Sequence, residues 1–163
     1  MADIVSIPGY YKDSFLHSTK GCLYNQNVLA ETASLIKQAD SNVILVSHGG
    51  PLQSGVNGID LNSDQKHVGD PNLTKFITDN KINYGIFANI HEAGGYATDF
   101  AGNEKLAENQ FYQQMFLNAG PADSVRWNMN DKTESTGMAA IMTITKDGAK
   151  YITNKISKPT AAK

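Results

Sequence analysis

Two histidines each follow a short apolar run, and they are the residues best placed to do chemistry. The first run, Val43-Ile44-Leu45-Val46, leads into Ser47-His48-Gly49-Gly50-Pro51. The second, Tyr84-Gly85-Ile86-Phe87, leads into Ala88-Asn89-Ile90-His91-Glu92-Ala93-Gly94-Gly95. A short apolar run stopped by glycines reads as a buried strand. Open α/β sheets place ligands and metals just past the carboxyl ends of such strands. Two stations built alike predict that both imidazoles face one cleft.

The elements that must position them can be read along the chain. Val28, Leu29, Leu35, Ile36 and Ala39 fall at helical spacing and predict a helix over about 27–39, with Asn25 or Asn27 as its cap. A strand over 43–47 follows. Residues 49–69 hold five glycines and form a loop long enough to carry function. Asp70-Pro71 opens a second helix, with Asp as cap and Pro in the first turn. Leu73, Phe76 and Ile77 form its buried face, and Asp79-Asn80 ends it. The strand expected over 82–88 completes a strand-helix-strand unit and predicts a parallel pair. Further on, Phe111–Leu117 reads as a strand. The runs 137–145 and 149–153 flank Lys146-Asp147-Gly148 and predict a hairpin. Residues 3–7 read as a strand closed by Pro8-Gly9, and 157–163 as a disordered tail. The expectation is one α/β domain over 1–156, with a mixed β-sheet and flanking helices.

Composition narrows the function classes. A net charge of −2 gives no basic face for nucleic acid, so no nucleic-acid partner is expected. No apolar stretch approaches the roughly 20 residues that span a bilayer, so no membrane partner is expected either. The start, Met1-Ala2-Asp3-Ile4-Val5, lacks the basic and apolar regions of a signal peptide. One cysteine, Cys22, cannot form an internal disulfide, and a reducing, cytoplasmic setting is the expectation. With no activating base beside it, Cys22 reads as a small packed residue.

The order of these segments resembles the carboxy-terminal half of the calcineurin-like metallophosphoesterases, over about residues 40–155. Ser47-His48-Gly49-Gly50-Pro51 is similar to the loop in which that family delivers a metal-binding His. Ala88-Asn89-Ile90-His91 looks like its Gly-His-x-His motif with the first two residues changed, and Asn118-Ala119-Gly120 echoes an Asn-Pro-Gly strand end. The resemblance implies the second half of a four-layer αββα fold. It also implies that His48 and His91 are metal ligands, with Asn89 a weaker third. The family's Asp-x-His, Gly-Asp-x-x-Asp and Gly-Asn-His motifs do not occur in this sequence. They supply the carboxylate that bridges two metals and the Asn-His pair that contacts phosphate, and the family's general-acid histidine has no counterpart.

Two dications held about 3.5–4 Å apart need anionic bridging, which His48, His91 and Asn89 cannot supply. The expected cofactor is therefore one divalent metal (Mn, Fe or Zn) at reduced affinity. It would be held by two imidazoles, a carbonyl oxygen and water.

The functional expectation is a partial or degenerate metal-dependent phosphoesterase acting on a small phosphate ester, with the missing half supplied by a complementary chain. No catalytic acid or base is assigned. The alternative is a binding or assembly module that keeps the scaffold and self-associates through uncovered apolar sheet. The abrupt start at a strand also fits the product of an interrupted or internally started gene.

Other polar residues have plainer readings. His67 fits a loop at the helix entry, His17 is solvated, and Glu92 is either a partner of His91 or a surface carboxylate. Asp60 and Asp64 sit in no recognised ligand pattern. Gly49-Gly50 and Gly94-Gly95 permit sharp turns, or the approach of a phosphate to backbone N–H groups near Pro71. Tyr10, Tyr11 and Phe15 read as packing or interface residues, and Trp127 as a core or rim anchor.

Overall fold

The computed structural model describes residues 26–156. The strand expected over 3–7, the caps at Asn25 and Asn27, the residues Tyr10, Tyr11, Phe15, His17 and Cys22, and the tail 157–163 lie outside the described side chains. The chain divides into two units, Met1–Asn42 and Val43–Lys163. In the first, helix α1 spans Gln26–Ile36 and unwinds through residues 37–39 in turns bonded back to Ala33, Leu35 and Ile36.

The second unit holds an open, mixed α/β sheet. Strands β1 (Ile44–Val46), β2 (Tyr84–Phe87), β3 (Tyr96–Thr98) and β4 (Met115–Asn118) lie in the order β1-β2-β4-β3. β1, β2 and β4 run parallel, and β3 returns antiparallel along β4. The parallel pair expected from the strand-helix-strand unit is present. The central strands are apolar almost throughout because both of their faces are covered.

Tyr84, Met115 and Leu117 belong to one cluster with Ala97, Leu106, Ala149 and Tyr151. The last two come from a long hairpin, β7 (Met138–Thr145) and β8 (Gly148–Lys155), whose two-residue turn is Lys146-Asp147. On the opposite face Phe87 stacks on Phe116, with ring centroids 6.3 Å apart, and Phe100 tilts against Phe116 at 5.3 Å. Gly85 makes that stack possible. A Cβ on it would lie 2.5 Å from the Phe87 ring and 3.2 Å from that of Phe116. The pleat alternates side chains between the faces, so a residue with no side chain leaves room for its neighbour's ring.

Helix α2 spans Pro71–Asp79 and buries Leu73, Phe76 and Ile77, the face expected from their spacing. Its start is set by Asp70, whose carboxylate accepts from the N–H of Asn72 (2.7 Å) and of Leu73 (3.3 Å). Asn80 closes the other end, bonding its backbone N–H to the carbonyl of Phe76.

Three features differ from the expected pattern. The strand expected over 111–117 begins only at Met115, because Tyr112 is drawn off to bridge Ala149 at the turn of the long hairpin. β3 is too short to show a period of two in sequence. A small hairpin, β5 (Trp127–Asn128) with β6 (Glu134–Ser135), is carried by turn residues rather than by an apolar pattern. No helix among the described residues is long and apolar enough to cross a membrane.

Candidate functional site

The carboxyl ends of β1 and β2 lie side by side. Ser47 N–H bonds the carbonyl of Ile86 at 3.0 Å, and Ala88 N–H bonds the carbonyl of His48, also at 3.0 Å. The ladder thus extends past both strands and brings the backbone at residue 48 against the start of the Asn89–His91 turn. His48 is exposed in its loop. The chain then reverses abruptly. Ile90 N–H reaches the carbonyl of Ala88 at 2.6 Å across Asn89, whose φ is +60°. An i to i+2 bond about a left-handed residue is a strained turn, and Asn tolerates that region better than most residues. The reversal leads into a single 3-10 turn, His91–Ala93.

His91 is half-buried. Its ring meets Trp127 of β5 edge to face, with centroids 4.1 Å apart and planes at 80°. The indole N–H of Trp127 donates to Asp123 Oδ1 at 3.1 Å. Trp127, read from the sequence as a core or rim anchor, is half-buried here, and the ring it meets is that of the histidine. Asn89 is exposed in its turn.

A polar frame behind this turn had only a faint trace in the sequence. Asn118, fully buried at the end of β4, donates through Nδ2 to the carbonyls of Ile90 (2.8 Å) and Ile59 (3.1 Å). Its Oδ1 accepts from Gly120 N–H at 2.9 Å. One side chain thus ties the turn before His91 to the glycine-rich loop. The signal was a polar residue ending a wholly apolar strand.

Asp60, also fully buried, accepts from the N–H of Gln53 and of Gly69 (both 3.1 Å) and pairs with His67 Nδ1 at 2.8 Å. His67 is thereby committed to holding the loop. Gln53 links the loop to the segment after β3, accepting from Ile59 N–H at 2.7 Å and donating to the carbonyl of Phe100 at 3.0 Å. The glycines take part too: Gly94 has no room for a Cβ, which would lie 2.3 Å from Gly120 Cα, and Gly95 and Gly120 adopt φ of +84° and +78°.

Tyr96 donates its hydroxyl to the carbonyl of Gly58 at 3.2 Å. Burial first, then the negative charges of Asp60 and Asp131, push that phenol up to about 12. It stays a hydrogen-bond donor at every ordinary pH and cannot act as a base.

The carboxylates near His91 are engaged elsewhere. Glu92 Oε1 accepts from Ser63 N–H at 2.8 Å, a loop contact rather than the His91 partnership expected as one of its two readings. Asp70 caps α2, so the N–H groups near Pro71 read from the sequence as open to a phosphate already face a carboxylate. Among the described residues, no group of three or more His, Cys, Asp or Glu side chains is arranged to hold a metal ion. The donors at the strand ends are two imidazoles and one amide, all without negative charge when ligating. Such a set lacks the shared anion that a pair of ions needs. Comparison of the chain with protein-family models, with curated proteins and with solved structures gives no match.

Proposed function

We propose that this chain is a partial, degenerate metal-dependent phosphoesterase, built on the second half of a metallophosphoesterase-like fold. One observation carries the reading: the backbone at His48 is hydrogen-bonded to the head of the turn that bears Asn89 and His91, at the carboxyl ends of two adjacent parallel strands. This is where open α/β sheets assemble ligand sites. His48 and His91 would hold one divalent ion (Mn, Fe or Zn), with the Asn89 amide oxygen as a weaker third donor. Once bound, such an ion polarises a phosphoryl oxygen and lowers the pKa of its water.

The chain's own residues hold and orient the donors. Asn118 fixes the carbonyl before His91, Trp127 fixes the His91 ring, and the strained turn at Asn89 sets the reach of both. No side chain is positioned here as an acid or base, and no carboxylate bridges. A second chain carrying the absent Asp-x-His, Gly-Asn-His and Gly-Asp-x-x-Asp motifs is required for turnover. The test is reconstitution with such a chain in Mn2+ against bis-p-nitrophenyl phosphate. Hydrolysis above the metal blank that disappears in His48→Ala is the expected result, and a rate equal to the blank contradicts the reading.

A second reading, an assembly module that binds another copy of itself, is favoured by a different observation. Ile141 and Ile152 face each other across the long hairpin and are both exposed, Ile141 at 61%. Sedimentation at micromolar concentration distinguishes the two. A dimer that Ile141→Lys returns to monomer supports assembly, and a monomer in both forms rules it out.

A further inference from the structure

Trp127 is the chain's one tryptophan, and the small hairpin that carries it is fastened to the histidine turn, to the glycine-rich loop and to β8. Asn130 N–H donates to the carbonyl of Glu92 at 2.8 Å, next to His91 itself. The Asn130 side-chain amide donates to the carbonyl of Leu61, also at 2.8 Å. Asp131 pairs with Lys155 of β8 at 2.9 Å, and Arg126 pairs with Glu134 across the hairpin. The indole is held in turn by Asp123. A hairpin of two-residue strands has little stability of its own. These tethers make it a fixed wall, and the surface that the wall presents to the turn is Trp127.

We propose that Trp127 is a positioning residue for His91, holding the imidazole in one orientation before a divalent ion arrives. The inference rests on the metal-site reading above and adds to it the residue that sets ligand geometry. An imidazole on a short turn loses rotational freedom when it ligates, and a ring already confined by an edge-to-face contact has lost that freedom beforehand. Orientation of a metal-binding histidine is usually secured by a hydrogen bond from its second nitrogen. Here the contact found on the ring is aromatic instead.

The test uses the full chain with Zn2+ as the probe in calorimetry, and Ni2+ quenching of Trp127 fluorescence as a second, optical readout. Trp127→Leu is expected to weaken Zn2+ binding by about two- to tenfold, the affinity equivalent of one aromatic pair. Trp127→Phe, which keeps an edge-to-face partner, is expected to recover most of the loss. In the unmodified chain Ni2+ is expected to quench the indole, and His91→Ala to abolish the quenching. Equal Zn2+ affinity in Trp127→Leu, Trp127→Phe and the unmodified chain overturns the positioning role while leaving the metal site standing. Absence of Zn2+ binding in the unmodified chain removes the metal-site reading and this inference with it. Should Trp127→Leu lose its cooperative thermal transition, the comparison of Trp127→Phe with the unmodified chain and the Ni2+ quenching decide the matter. A Phe variant weakened beyond tenfold, or quenching that persists in His91→Ala, is then the overturning result.

Discussion

The side-chain amide of Asn118 donates to the carbonyl of Ile90 at 2.8 Å, one residue before His91, from a position with no solvent exposure. The same amide reaches the carbonyl of Ile59 at 3.1 Å. Replacing Asn118 with Ala leaves two carbonyls and the Gly120 N–H without this partner. Each unmet buried group costs about 1–3 kcal/mol, so a loss of about 3 kcal/mol is expected for Asn118→Ala. Asn118→Asp should cost at least as much, because a carboxylate repels the carbonyls that the amide served. Urea unfolding followed by circular dichroism measures both, and a loss under 1 kcal/mol in either would show that Asn118 does not hold the turn.

Gly85 lies under the Phe87–Phe116 stack. Gly85→Ala drives a methyl into the Phe87 ring, and overpacking of this kind costs about 1–3 kcal/mol. Phe87→Leu alone should also destabilise the protein. The double variant should lose less than the sum of the two, since the smaller side chain accepts the methyl. Thermal melts arranged as a double-mutant cycle check this, and strict additivity would contradict the packing described.

Asp60 is a buried carboxylate satisfied by two backbone N–H groups and His67. In Asp60→Asn one acceptor oxygen becomes a donor facing another donor, and a loss of about 2–4 kcal/mol is expected. His67→Ala, which removes only the partly exposed partner, should cost less. If the order were reversed, with His67→Ala the more damaging, His67 rather than Asp60 would be the keystone of the loop.

Asp131 gives a pH dependence with a definite sign. Although partial burial opposes its ionisation, hydrogen bonds from Lys155 and from the Thr133 hydroxyl and N–H hold its carboxyl at about 2, below the ordinary value of 3.8. A carboxyl with a depressed folded-state pKa binds fewer protons folded than unfolded. Its stabilisation is therefore present above pH 3.8 and is lost as the pH falls through 2. The group is partly exposed and screened, so the contribution is set at about 0.5–1 kcal/mol. Asp131→Asn should lose that contribution near neutrality, flatten the stability curve in that window, and match the unmodified chain below pH 2. An unaltered slope between pH 4 and pH 2, as measured by urea midpoints, would contradict the pairing.

What the sequence made legible follows from how local each signal is. α2 was readable to its cap because Asp70-Pro71 and the Leu73, Phe76, Ile77 spacing are all decided within one or two turns. The long hairpin was readable because its turn is two residues with a glycine directly after, at φ +118°. The parallel pair followed from the helix crossover, whereas the sheet is mixed through β3, and the predicted hairpin forms a separate two-stranded sheet. β3 and β5–β6 were not readable, because their pairing is decided by partners far along the chain and their strands are only two or three residues long.

The site shows the same division. That His48 and His91 follow strands was plain from the apolar runs. That Trp127 would meet His91, and that Asn118 would hold Ile90, required contacts across 36 and 28 positions of chain. Periodicity carries no information at that range.

The most direct measurement is a calorimetric titration of Zn2+ into the unmodified chain, His48→Ala, His91→Ala and Asn89→Gly. The glycine variant keeps a residue at ease with φ of +60° while removing the amide oxygen, so it isolates the donor from the turn. One ion per chain is expected, with binding lost in either histidine variant and weakened in Asn89→Gly. An isotherm unchanged by both histidine substitutions, or no binding to the unmodified chain, would contradict the proposed site.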